Sequence, residues 1–297
     1  MKPKDFGKLI AHLRKEQTDE CGQPYTQKRL AQEMGVSQAV VSNIERGEKA
    51  TLEPDILPRL ADALRMSRRE RREFLLAAIR IDEREIVRCN AQESLEKALD
   101  VLKNLALPAF LADTYDNLLA VNHSMLALFE YSDSLIQQAD QHFAGYNVLR
   151  FVFSQDSPFS ESILENKEPC LLQSISFFRA ITLPWRATSY YARLMAAFTT
   201  ASDMQAFRAT LARSANNEGD ALFEDQVVGL QHARFGRLKF YSPPLAEIPS
   251  PAGNLHLAAY LPADAHTAQV FTRLAQQGYG QVTLLESFPV EGYDKFA

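Results

Sequence analysis

The chain has 297 residues, 32 Lys and Arg against 37 Asp and Glu, a net charge of −5 and 46% hydrophobic residues. That is room for two domains with proper cores, in the ordinary composition of a folded globular protein. It excludes a membrane span, because no run of about eighteen apolar residues occurs, and it excludes a disulfide framework or zinc pattern, because Cys21, Cys89 and Cys170 are odd in number and widely spaced. The N-terminus MKPKDFGKLI has no apolar signal core, so a cytoplasmic location is the expectation.

Residues 5–16 predict an amphipathic helix, with Phe6, Leu9, Ile10 and Leu13 on one stripe. The segment QTDECGQPY (17–25) reads as a turn. Its Cys21 could be a redox switch, but a plain exposed loop cysteine is the simpler reading. Next comes TQKRLAQEMGVSQAVVSNIERG, residues 26–47. Thr26 is a good cap for a helix whose inner face is Leu30, Ala31 and Met34. Gly35 suits a left-handed turn, and Ser37 is expected to cap a second helix, 38–46, with Val41 and Ile44 inside. Two short helices joined by a glycine turn match the helix-turn-helix motif.

On Gln27, Leu30, Ala31, Gly35, Val36, Ser37, Val41, Ile44, Glu45 and Gly47, the stretch resembles the lambda-repressor-like (XRE-type) DNA-binding domain. The resemblance covers about the first quarter of the chain. It implies that Arg14 pairs with Glu45, clamping the first helix to the third. The plain alternative is a helical hairpin that merely packs. Against it, the outer face of the second helix keeps Gln38, Ala39, Ser42 and Asn43. Gln and Asn can bond adenine N6 and N7 in the major groove, and Ala can meet a thymine methyl. The expected DNA contacts are therefore Gln38, Asn43, Ala39 and Ser42 at base edges, with Thr26, Gln27, Ser37 and Lys49 around them, several on phosphates.

Asp55 is expected to cap a fourth helix that carries Ile56, Leu57, Leu60 and Leu64 inward, with Pro58 in its first turn. Ser67 and Glu70 form a capping-box pattern for a fifth. Its start, SRRERRE, reads as a solvated face of alternating sign. Residues 1–80 hold sixteen basic and twelve acidic residues, a balance of +4, and the remainder carries −9. Local basic surface governs phosphate affinity, so only the first part is expected to touch DNA.

The helical pattern runs on through 74–105, with a second capping box at Asn90 and Glu93, and its Leu stripe fits either core or a dimer seam. PAFLAD and NLLAVN then predict two strands around Thr114-Tyr115-Asp116. A helix at 124–131 follows, then the apolar NVLRFVF (147–153) and a helical region at 160–214. Strands return around 227–230, at 237–242 and at 254–261. Residues 265–277 predict a closing helix, and 281–288 a last strand or tail. Strand–turn–strand, helices, then antiparallel strands is the order of a PAS-like domain. PAFLADTYDNLLAVN, LRFVF and QHARFGRLKF resemble the MmyB-like ligand-binding domain of transcription regulators over roughly 105–265. That resemblance implies a fatty-acid-like ligand.

The fold expected is therefore multidomain: a five-helix all-α head (1–80), a helical connector (81–105) and an α+β PAS-like domain with an antiparallel sheet (106–297). Phe110, Asn122, Phe129, Arg150, Phe178, Trp185, Tyr190 and Tyr191 are the candidate ligand contacts. Aromatics at such spacings are commonly plain core. Arg150, Arg179 and Arg186, however, sit in apolar runs, and a buried Arg needs an anionic partner, either a ligand carboxylate or an internal acid. His123, His142 and His232 match no metal-ligand spacing. No phosphate-binding glycine loop or nucleophile motif occurs, so no cofactor and no catalysis are expected. The function expected is a dimeric DNA-binding transcription regulator that binds double-stranded operator DNA and senses a small apolar ligand. The alternative is a partner-controlled regulator whose second domain binds protein.

Overall fold

The computed structural model describes residues 1–48, 52–53, 55–78, 90–130, 136, 139, 143–155, 157, 162–214 and 227–289. Lys49, Cys89, His142 and the 79–89 part of the expected connector helix lie outside them. The chain forms two compact units. The first joins the N-terminal residues through the fifth helix to Arg179–Ala192, and the second holds the described residues between 90 and 178 and between 193 and 289.

In the first unit, α1 (Pro3–Glu16) starts on a proline, where the missing N–H costs little, and carries Arg14 and Lys15 in its last turn, where they suit the helix dipole. α2 (Gln27–Met34) is capped by Thr26, whose hydroxyl accepts the Arg29 N–H at 3.1 Å. It ends at Gly35, with φ of 65°. α3 (Gln38–Glu45), α4 (Ile56–Ala63) and α5 (Arg68–Ala78) complete the head. Leu9, Ile10, Leu30, Val41, Leu60 and Phe74 form its core. Gly7 lies where α1 crosses α3, and a Cβ there would collide with the carbonyl oxygens of Ile44 and Glu45. The Ser67–Glu70 capping box is present, with reciprocal bonds of 3.0 and 3.2 Å.

Two expected caps are absent. Ser37 and Asp55 stand at the N-cap positions of α3 and α4, but neither side chain makes a capping bond. The Asp55 carboxylate turns instead to Arg59, 2.9 Å away. The charge run at the start of α5 is not wholly solvated either, because Glu70 within it is 2% exposed.

The second unit opens with α6 (Ala91–Lys103), held by the Asn90–Glu93 capping box. Its Leu95, Ala98 and Leu102 pack with Ala109, Leu111, Leu119, Leu255 and Leu257 of a sheet. The strands are β1 (Ala109–Ala112), β2 (Leu118–Asn122), β3 (Ile163–Glu165), β4 (Val228–His232), β5 (Gly236–Tyr241), β6 (Pro244–Ile248), β7 (Leu255–Ala259), β8 (Leu261–Pro262) and β9 (Val282–Leu284). They form two antiparallel sheets, in the orders β6-β7-β1-β2-β9 and β3-β4-β5-β8. β6 pairs with β7 and β5 with β8, so two consecutive passages of chain serve both sheets. β3 and β6 were not expected. β6 begins on a proline, and as an edge strand it tolerates the lost donor.

Helices α7 (His123–Leu128), α8 (Val148–Phe153), α9 (Lys167–Ile181), α10 (Ser189–Thr200), α11 (Gln205–Ser214) and α12 (Ala265–Gly278) follow in chain order. NVLRFVF is thus a helix. Gly278 meets the His123 ring so closely that no Cβ fits, which lets α12 lie on α7.

Candidate functional site

The head presents α3 as a two-faced rod. Val41 and Ile44 are buried, while Gln38 and Ala39 are exposed and Ser42 and Asn43 half-buried. The rod is held from behind. The Arg14 guanidinium donates to both oxygens of Glu45 at the end of α3, at 2.6 and 3.1 Å, and to the Tyr25 carbonyl at 2.5 Å. The Gln27 amide donates to the same Glu45 carboxylate at 2.8 Å. Gln27, expected on a phosphate, thus also braces α3. Thr26 and Ser37 are exposed at the starts of α2 and α3. Arg46, absent from the expected contacts, donates to the Asn43 side-chain oxygen at 2.6 Å and pairs with Glu48 at 2.7 Å. Its place directly after α3 was the available signal.

The first unit also contains a charge network built on the buried Arg186 and Glu70, with Glu16 at its exposed edge. Arg186, 2% exposed, donates from Nη1 to Glu16 at 2.8 Å and from Nη2 to Glu70 at 2.5 Å. Arg179 donates to the same Glu70 oxygen at 3.1 and 3.0 Å. Burial alone would raise the Glu70 pKa. The guanidinium of Arg186, then that of Arg179, outweighs it and holds the carboxyl at about 2. Glu16 is likewise held at about 2, with burial opposed chiefly by Arg186. Arg179 and Arg186 therefore have internal acids as partners.

The candidate ligand contacts divide between the units. Trp185, Tyr190 and Tyr191 belong to the first, where the Tyr191 ring meets His12 edge-on at 6.1 Å. Phe110, Asn122, Phe129, Arg150 and Phe178 belong to the second. Asn122 is a structural hub. Its oxygen accepts the N–H groups of Ala109 and Met125, both at 3.1 Å, and its amide donates to the Leu105 and Leu107 carbonyls. Phe129 packs edge-on against Phe151 at 5.2 Å and Tyr260 at 6.0 Å, and Tyr260 stacks on Phe240. Arg150 lies 3.5 Å from Asp203, which also accepts from Ser154 at 2.7 Å. Phe178 is fully buried, and Phe110 is half-buried in β1.

Between β1 and β2, Asp113 and Asp116 are both buried. Burial pushes Asp113 up to about 7 against three hydrogen bonds, from Asn117 and the Tyr115 N–H. Burial, then the Asp113 charge, pushes Asp116 to about 8.

Among the described residues no group of three or more His, Cys, Asp and Glu is placed to hold a metal ion, and no helix is long and apolar enough to cross a membrane. A model described as a helix-turn-helix domain matches residues 5–74. A second, described as the MmyB-like transcription regulator ligand binding domain, matches residues 91–274. No curated protein matches the chain.

Proposed function

We infer the function from kinship: the chain belongs to the MmyB-like transcription regulators, and it couples a DNA-binding helix-turn-helix head to that family's ligand-binding domain. The finer reading proposed here is a cytoplasmic, sequence-specific regulator, not an enzyme, that works as a homodimer. α3 enters the major groove with Gln38 and Asn43 on base edges and Ala39 and Ser42 beside them. Thr26, Gln27, Ser37 and Lys49 lie around the phosphates. Two heads then read half-sites about 34 Å apart, or a multiple of that.

One observation carries this reading. The polar face of α3 runs from the exposed Gln38 and Ala39 to the half-buried Ser42 and Asn43, while its apolar face is buried and its end is braced by Arg14 and Gln27. A helix that served only packing has no use for a rigid, solvent-facing row of short hydrogen-bonding side chains. The test is a salt series with a selected duplex and a scrambled one. Sequence preference at every salt concentration supports the reading. A salt slope with no preference would mean phosphate contact only.

For the second unit we propose a PAS-like ligand domain. The strand succession supports this: β2, β1, the β7–β8 passage, the β5–β6 passage and β4 are neighbours in that order. The ligand proposed is small, apolar and fatty-acid-like, held against aromatics of this unit, with Phe110, Phe129 and Phe178 among its contacts. Arg150 would reach its polar end by leaving Asp203. Native mass spectrometry of the purified chain tests this. A co-purified small molecule supports it, and its absence favours a domain that binds a protein partner instead.

A further inference from the structure

We propose that Arg179–Ala192 is the element that carries ligand-dependent change to the DNA-reading head, an inference that rests on the function proposed above. The segment lies inside the stretch matched by the ligand-binding family, yet it packs as part of the first unit. The 3₁₀ turn Leu183–Trp185 sits on α5, and Leu183 is fully buried in the head core. Both flanking helices straddle the boundary. Residues 167–178 of α9 are in the second unit and 179–181 in the first; residues 189–192 of α10 are in the first and 193–200 in the second. A helix is stiff over one turn, so a shift in either helix is imposed on the segment between them.

The buried charges give that segment its grip. Arg186 holds the last residue of α1, Glu16, and the first turn of α5, through Glu70, at the same time. Two residues before Glu16 on α1, Arg14 grips Glu45 at the end of α3. Displacement of Arg186 therefore travels along α1 to the recognition helix. The Arg186–Glu70 pair, with both side chains 3% exposed, does not stretch gradually, because a buried charge that loses its partner is strongly penalised. Small helix shifts are thereby converted into discrete arrangements.

Coupling is reciprocal, so DNA bound to α3 must be felt in α9 and α10. The experiment uses the full chain and a duplex that the chain selects from a random pool. Hydrogen exchange is read at residues 167–178 and 193–200 with and without the duplex. The expected result is a change of about fivefold or more in the native chain, the lower end of ordinary coupling. In a triple variant, Arg186→Met with Glu16→Gln and Glu70→Gln, the change should vanish while the duplex still binds. Gln at position 70 keeps the capping box, and Arg186→Lys, which can meet only one acid, gives the same comparison if the triple variant does not fold. A bound duplex that leaves both helices unmoved, or a response undiminished in the variants, overturns the inference alone. If no duplex is selected, it falls together with the DNA-reading role.

Discussion

Arg14 and Glu45 meet through two parallel bonds, Nε to Oε1 at 2.6 Å and Nη2 to Oε2 at 3.1 Å, with both side chains about nine-tenths buried. The pair joins the end of α1 to the end of α3. Its value lies in placing α3, since removing one partner leaves the other charge buried and unpaired. Arg14→Ala should therefore cost the head about 3–5 kcal/mol in urea unfolding. Replacing both, Arg14→Met with Glu45→Leu, should cost much less. Equal losses in the single and double variants would show that packing, and not the stranded charge, is what matters.

The open face of α3 gives a different kind of expectation. Gln38 is exposed at the start of α3. Gln38→Ala should leave stability unchanged and weaken the cognate duplex by about 1–3 kcal/mol, while a scrambled duplex is unaffected. Arg46→Ala should act partly through Asn43, whose side-chain oxygen it holds at 2.6 Å. Titrations at fixed salt separate the two, because loss of a phosphate-type contact lowers both duplexes alike.

Much of the head was legible because its signals are local. Thr26, Gly35 and the Ser67–Glu70 box each act within a few residues, and each takes the conformation its chemistry favours. Ser37 and Asp55 carry the same signals but do not act on them, and Asp55 finds a cation one turn away. In the second unit the β1–β2 hairpin declared itself by its turn, whereas β6 was hidden by the prolines beside it. The buried arginines show where sequence reading stops. Arg179 and Arg186 advertise a need for acid, but Glu16 and Glu70 lie 170 and 116 residues from Arg186. Pairing over that distance leaves no periodic trace. Trp185, Tyr190 and Tyr191 lie in the stretch matched by the ligand-binding family and pack in the first unit, a placement that spacing in the sequence does not display.

The same network sets an acid limit on the first unit. Glu16 and Glu70 are held at about 2, below the ordinary carboxylate value of 4.5. Their contribution is complete above the ordinary value and is lost as pH falls from there toward about 2. Thermal melts of the full chain between pH 5 and pH 2.5 should show the first unit weakening in that window. Glu70→Gln should flatten the dependence and lower stability at neutral pH. A slope as steep as that of the native chain would place the titration elsewhere.

Asp113 and Asp116 impose the opposite dependence on the second unit. Burial, countered in Asp113 by its hydrogen bonds and added to in Asp116 by the Asp113 charge, puts them at about 7 and about 8. The folded chain then keeps protons that the unfolded chain has released, so stability falls as pH rises from the ordinary value of 3.8 toward about 8. Asp116 is the cleaner probe, since Asp113 accepts three hydrogen bonds that an amide cannot all replace. Its φ of 65° is one that asparagine also tolerates. Asp116→Asn should raise the melting temperature by about 4–8 °C at pH 8, by roughly a third as much at pH 5 and hardly at all below pH 4. A shift of the same size at both values would mean that the side chain's shape, and not its charge, burdens the turn.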